Sequence, residues 1–223
     1  MAYRVVGVVL LLLSTLTTPA RAQEAADEIS AHELVRQTTE RVMEVVIAAD
    51  DYVDEDPERY YSKVEALLDP LIDYRGFARS VMGPYASSER YRSLDEQGRA
   101  QLRDQLDRFT AEMRHSLVRT YSKGLLAFGG SDIEVLPPEE GVDYSERASV
   151  RQHVFADRDE PYRVLYQMGR DRSGQWKLRN VIIEDVNLGE IYRDQFLSAA
   201  REERGDLDRV IDKWTTVEVD VED

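Results

Sequence analysis

Three histidines, His32, His115 and His153, are the only imidazoles in the chain, and no cysteine accompanies them. General acid–base work or zinc ligation would need them paired or beside a fixed carboxylate, and none stands in a ligand spacing such as H-x-x-x-H. His32 sits near the start of a helical pattern and reads as solvated. His115 follows Arg114 on a segment where Met113 and Leu117 face inward, so it points outward or sideways. His153 lies on the strand face opposite Val150 and Val154. Acidic pairs such as Glu139-Glu140 and Glu184-Asp185 read as solvated faces or caps in a chain with 44 Asp and Glu, and their spacing alone does not make a glycosidase. There is no G-x-S-x-G, no glycine-rich phosphate loop and no thiol nucleophile.

The residues that could do work of another kind are apolar. Helical periodicity places Leu34, Val35, Thr38, Val42, Val45, Val46 and Ala49 on one face of a helix from about Ser30 to Ala49. Asp56-Pro57 is an N-cap and first-turn pair opening a helix with Tyr60, Val64, Leu67, Leu68 and Leu71 on one side. A short helix follows over Tyr74 to Val81. Ser93 and Glu96 form a capping box for the longest helix, about Ser93 to Ser122, with Leu94, Leu102, Leu106, Phe109, Met113, Leu117 and Tyr121 in one stripe. After Gly130 the period changes to two. Strands are predicted around Ile133 and Val135, from Ala148 to Phe155, from Tyr162 to Met168 and from Gln175 to Ile183. Asn187 and Asp206 then cap two closing helices. Helices, sheet, helices make one α+β domain: a curved four-stranded antiparallel sheet covered on one face. Composition alone leaves open whether the inward residues close on each other or surround a ligand cavity.

The ends bear on location. Arg4, the run Val5 to Leu13 broken only by Gly7, and Ala20-Arg21-Ala22 have the order of a secretory signal peptide, cut before Gln23. The expected organisation is residues 1–22 as signal peptide, 23–216 as a single domain and 217–223 as an acidic tail. Without cysteine the domain has neither disulfides nor a lipoprotein anchor, so a free protein of the periplasm is expected, with secretion as the alternative. The formal charge is −15, and loss of Arg4 and Arg21 takes it to −17. Such a chain is repelled by nucleic acid and by anionic membrane, and suits a protein partner with a basic docking face.

The order of segments resembles the MlaC family, also called toluene-tolerance auxiliary proteins. Leu68-Asp69-Pro70-Leu71-Ile72-Asp73-Tyr74-Arg75-Gly76-Phe77-Ala78-Arg79 looks like its "li-p-l-D-f-x-x-m-a" helix. Phe109, Leu117 and Tyr121 within residues 102–121 resemble its long helix. Residues 176–188, from Trp176 through Asn187-Leu188, resemble its "W-k-v-y-D-v-x-i-e-G-v-s-l" strand, and Tyr192-Arg193-Asp194-Gln195-Phe196 with Gly205 and residues 207–214 its ending. Asn180 stands where the family has aspartate and Asp185 where it has glycine, so headgroup contacts or the local turn are expected to differ. The resemblance implies an NTF2-like or MlaC-like fold with an apolar cavity and no cofactor. It also implies a monomeric phospholipid carrier working between the substrate-binding component of an inner-membrane ABC transporter and an outer-membrane lipoprotein–porin complex, maintaining lipid asymmetry. Tails are expected against Leu68, Leu71, Phe77, Val81, Phe109, Met113, Val150, Val164, Tyr166, Met168, Val181, Ile183, Val186 and Tyr192, with Tyr74, Arg75 and Arg79 at the mouth. The alternatives are an NTF2-like enzyme with a buried polar dyad, such as His153 with a carboxylate, and an adaptor domain with a closed core.

Overall fold

The computed structural model describes residues 29–156 and 159–214. The signal peptide and the acidic tail inferred above lie outside the described residues. Among the described residues seven α-helices run α1 (Ala31–Ala49), α2 (Pro57–Leu68), α3 (Tyr74–Met82), α4 (Ser88–Ser93), α5 (Glu96–Leu126), α6 (Leu188–Glu202) and α7 (Leu207–Asp212). A 3₁₀ turn, Gly83–Ala86, follows α3. Each α-helix opens on a side chain that accepts from an N–H of the first turn: Ser30, Asp56, Asp73, Ser87, Asp95, Asn187 and Asp206 in order. These bonds satisfy backbone donors that the helix itself leaves orphaned. The cap of the longest helix is Asp95 rather than Ser93, because Ser93 already ends α4.

The sheet is an antiparallel meander in the order β1 (Asp132–Val135), β2 (Arg147–Phe155), β3 (Tyr162–Arg170), β4 (Trp176–Ile183) and β5 (Val186–Asn187). It has five strands, not the four expected. The chain reverses at Glu184-Asp185, so that two residues, too few to give a period, pair back onto Ile182 and Ile183. The positive φ of that reversal falls on Glu184, at 51°, and not on Asp185. Glu184 accepts from the Arg163 backbone N–H at 3.0 Å and pairs with its guanidinium, which offsets the strain of a left-handed residue. Aspartate in place of the family's glycine therefore costs nothing at that φ.

On the other half of β4, the segment joining α2 to α3 docks as a short parallel bridge. Ile72 opposes Leu178; the Leu178 N–H donates to Leu71 at 2.8 Å and the Asp73 N–H to Leu178 at 3.2 Å. A bulge between Gln167 and Met168 leaves Arg179 as an extra residue in β4. Strict alternation from Trp176 would send Leu178, Asn180 and Ile182 to one face. The bulge resets the parity, so Leu178, Val181 and Ile183 share the inner face with Tyr166 and Val164.

Three apolar clusters result. One is closed and helical, built by α3, α5, α6 and α7 around Phe109, Phe196 and Trp214, with ring centroids 4.9 to 5.9 Å apart. A second joins α1 to one end of the sheet through Ala31, Val35, Val150, Met168, Trp176 and Leu178. The third joins α1 to α2 through Val42, Val46, Tyr60 and Val64.

Candidate functional site: an apolar chamber beneath the sheet

Between these clusters lies a chamber of about 460 Å³. Its floor is the inner face of the sheet: Ile133 of β1, Gln152 and Val154 of β2, Tyr162, Val164 and Tyr166 of β3, and Leu178, Val181 and Ile183 of β4. The register stacks Gln152, Val164 and Ile183 in one row and Tyr166 against Val181 in the next. The roof is helical: Val35, Thr38, Thr39, Val42 and Met43 of α1, Leu117, Val118, Tyr121 and Leu125 of α5, and Leu188 and Tyr192 of α6. Leu68, Leu71, Ile72, Tyr74 and Phe77 close one end, and Phe128, against whose ring Tyr162 stacks edge-on at 5.5 Å, stands near the other.

The wall has a signature of hollowness. Val164, Tyr166, Val181, Ile183, Leu117 and Tyr121 lie between sheet and helices yet are only half-buried. Large apolar side chains in that position keep accessible surface because no protein atoms stand opposite them, which forfeits dispersion contacts. The size falls within the ~300–1,000 Å³ of small-molecule sites.

Polar groups on the wall are few; two pairs of them are tied to each other, and the Tyr74 hydroxyl is buried without a hydrogen-bond partner. The Thr39 hydroxyl donates to the buried Gln152 side chain at 3.2 Å. The Tyr121 and Tyr192 hydroxyls share a hydrogen bond of 2.9 Å. Burial raises the pKa of both, and of Tyr74; it pushes Tyr166 up to about 12. All four phenols are therefore neutral at ordinary pH, and the one charged side chain among the lining residues, Arg179, is paired with Asp73.

Of the side chains expected against acyl tails, Leu68, Leu71, Phe77, Val164, Tyr166, Val181, Ile183 and Tyr192 are on this wall. Val81, Phe109 and Met113 are instead shut in the helical cluster, and Val186 packs against its edge. Val150 and Met168 point inward from the sheet but are sealed under α1. Of the three mouth residues, Tyr74 contributes its ring to the chamber. Arg75 pairs with Asp107 on α5, and Arg79 donates to the Ala86 carbonyl at 3.2 Å and the Ser88 hydroxyl at 2.6 Å, so both are surface braces. The histidines lie off the wall: His115 is exposed, His153 stacks on Phe155, and His32 is not solvated as expected but partly buried against Tyr144. Burial, with Arg151 nearby, lowers the His32 pKa.

The sequence reading missed the contribution of α1 and of Leu125 and Phe128. Val35, Thr38 and Val42 were legible as a stripe; what they faced was not. Asn180 has a structural task. Its amide donates to Gln167 at 3.0 Å and Asn187 at 2.8 Å and accepts from the Gly189 N–H at 3.0 Å, fastening β4 to the start of α6. A carboxylate could not make both donations.

Comparison with known proteins agrees with this architecture. A family model described as "MlaC protein" matches residues 36–216. The toluene tolerance protein ttg2D of Pseudomonas putida is 30% identical over 183 residues, covering 82% of this chain and 79% of that protein. Among solved structures, a phospholipid-binding protein from Ralstonia solanacearum, in complex with a phospholipid, superposes with a TM-score of 0.61 at 18% identity, covering 83% of this chain and 98% of that one. At that identity the likeness establishes the fold.

Proposed function

The chain belongs to the MlaC family, and from that premise we propose that it is a carrier that holds a diacyl phospholipid with its tails in the chamber beneath the sheet. The observation that carries this reading is the chamber itself: an apolar void whose wall includes large side chains left only half-buried between sheet and helices. The phospholipid bound by the Ralstonia protein of the same fold supports it.

The physics sets what such a carrier must supply. Each methylene costs about 0.8 kcal/mol in water, so two chains of ~16 carbons oppose free aqueous escape by on the order of 20 kcal/mol. A dry wall of Val, Ile, Leu and Tyr replaces bilayer contacts without a strong hydrogen bond to break at delivery. Because an occupied chamber regains contacts that an empty one lacks, cargo stabilises the fold.

We read the protein as a binding protein rather than an enzyme; the position of His153 on Phe155, away from the chamber, supports that choice over an NTF2-like enzyme. In the same reading the sheet curves around the cargo in the NTF2-like manner, which the bulge at Gln167–Met168 favours. Residues 23–216 act as one lipid-binding domain in the periplasm, exchanging cargo with an inner-membrane ABC transporter component and an outer-membrane lipoprotein–porin complex. No described helix is long and apolar enough to cross a membrane, in keeping with a carrier that moves between two bilayers. Native mass spectrometry of the purified chain, followed by vesicle-to-vesicle transfer of a labelled phospholipid, tests the reading. Bound diacyl lipid and accelerated transfer are expected; ligand-free protein with no transfer activity would overturn it.

A further inference from the structure

The chamber accounts for tails and leaves the polar end of the cargo without a partner, since Arg75 and Arg79 are engaged elsewhere. A second concavity, also about 460 Å³ but open to solvent, adjoins the chamber at the end where the α2–α3 segment docks on β4. The two share Ile72 and Arg179 as wall residues. The remaining wall of this cleft is Asp73 with Arg170, Asp171, Arg172 and Lys177 of the β3–β4 hairpin. Four cations thus face two carboxylates, in a chain whose net charge is −15. The bias extends along the sheet: β2, β3 and β4 carry Arg147, Arg151, Arg163, Arg170, Lys177 and Arg179 and no aspartate or glutamate.

Both carboxylates are used by the fold. Asp73 caps α3 through the Gly76 N–H at 2.9 Å and pairs with Arg179. Asp171 turns the hairpin, accepting from the Ser173 N–H at 2.8 Å, its hydroxyl at 2.6 Å and the Gln175 N–H at 3.1 Å. Arg170 is a wall element, stacked 4.4 Å over Trp176 and donating to the Ser145 and Gly174 carbonyls. Lys177 donates at 2.6 Å to the Pro70 carbonyl, a neutral acceptor. Among the described residues neither Lys177 nor Arg172 has a carboxylate at ion-pair distance. Lys177 acts on Asp171 across the cleft without pairing to it, so two cationic groups stand without an ion-pair partner in a cleft that shares Ile72 and Arg179 with the chamber.

We propose that this cleft holds the phosphate of the phospholipid whose tails fill the chamber, with Arg172 and Lys177 donating to its oxygens. The inference rests on the carrier reading above and adds a direction to it. The glycerol lies at Ile72, and the tails run from there toward Phe128 and Tyr162. Charge-assisted bonds to phosphate exceed neutral ones in strength, and guanidinium and ammonium groups both suit that anion. Preference should then follow the phosphate, and a neutral diacylglycerol should bind less well.

Calorimetry on the delipidated full chain separates the possibilities, using dihexanoyl phosphatidylglycerol, dihexanoylglycerol and inorganic phosphate as probes. The wild type is expected to favour the phosphate-bearing lipid by about tenfold, the equivalent of ~1.4 kcal/mol. Arg172→Gln with Lys177→Gln should abolish that preference while leaving dihexanoylglycerol affinity unchanged, with a small drop in melting temperature from the lost Lys177–Pro70 bond. Equal wild-type affinities, or a preference surviving in the double variant, would overturn the inference and leave the carrier reading intact. Failure of both lipids to bind would overturn the carrier reading itself. Inorganic phosphate should compete with the phospholipid; binding that persists once phospholipid is loaded would mark a free-phosphate site and reject the headgroup assignment.

Discussion

The two halves of α5 carry the same kind of stripe and meet opposite surroundings. Leu102, Leu106, Phe109 and Met113 of its first half are buried against α3, α6 and α7, with Phe196 and Trp214 closing over Phe109. Leu117, Tyr121 and Leu125 of its second half face the chamber. The difference lies in what stands opposite. Three helices converge on the first half, whereas the second faces the inner side of the sheet across the chamber. One end is organised for cohesion and the other for vacancy.

The strongest test of that contrast is truncation. Phe109→Ala should cost about 3–5 kcal/mol by chemical denaturation, because it opens a void in a filled core. Leu117→Ala, whose side chain already borders a void, should cost roughly 1 kcal/mol in lipid-free protein and more once lipid is loaded. Equal lipid-free losses would break the comparison.

Filling is the converse. Val181→Trp or Val164→Trp puts a large side chain where tails are proposed. Lipid co-purifying with the protein should fall by at least about tenfold, or ~1.4 kcal/mol, with no drop in the melting temperature of the lipid-free form. A variant that keeps its lipid would show that the chamber is not where the tails lie.

Alkaline titration sharpens the account of the wall. Burial raises the pKa of Tyr166 to about 12, so the native state holds that proton more tightly than the unfolded chain does. The resulting stability is complete below the ordinary tyrosine value near 10 and falls as pH rises from 10 toward 12. Ultraviolet absorbance should show a delayed tyrosine class in the wild type that is smaller by one residue in Tyr166→Phe.

A smaller effect is expected at the other pole. Hydrogen bonds from Gln105, and then Arg108, lower the pKa of Asp208 and tie α7 to α5. Its stabilisation is present above the ordinary value of 3.8 and is lost as pH falls below it. Since the pair is largely solvent-exposed, the contribution is modest. The acid limb of a melting-temperature profile should flatten slightly in Asp208→Asn, with lipid retention unchanged.

Much of the architecture was legible in the chain. Ser30, Asp56, Asn187 and Asp206 announce helix starts by residue type alone, and the alternation of Ala148, Val150, Gln152 and Val154 fixes which face of β2 is inner. Other features were not, for physical reasons. The β4 bulge depends on pairing across strands, so nothing local at Arg179 declares it. Phe77 and Phe109 are both buried aromatic residues on inward helix faces, yet one borders the chamber and the other is enclosed. Periodicity reports that a side chain turns inward; only the tertiary arrangement decides whether anything meets it. Arg172 and Lys177 are unremarkable in sequence for the same reason, since their meaning comes from the cleft that Ile72 and Asp73 complete.

The central claim is that acyl chains occupy the space between β3 and α5. A crystal structure of the chain loaded with a phospholipid brominated along its tails tests this directly, because bromine is located by its anomalous signal. The account predicts bromine peaks in contact with Val164, Tyr166, Val181 and Leu117, and none near Phe109. Bromine outside the chamber, with those wall side chains collapsed onto one another, would contradict it.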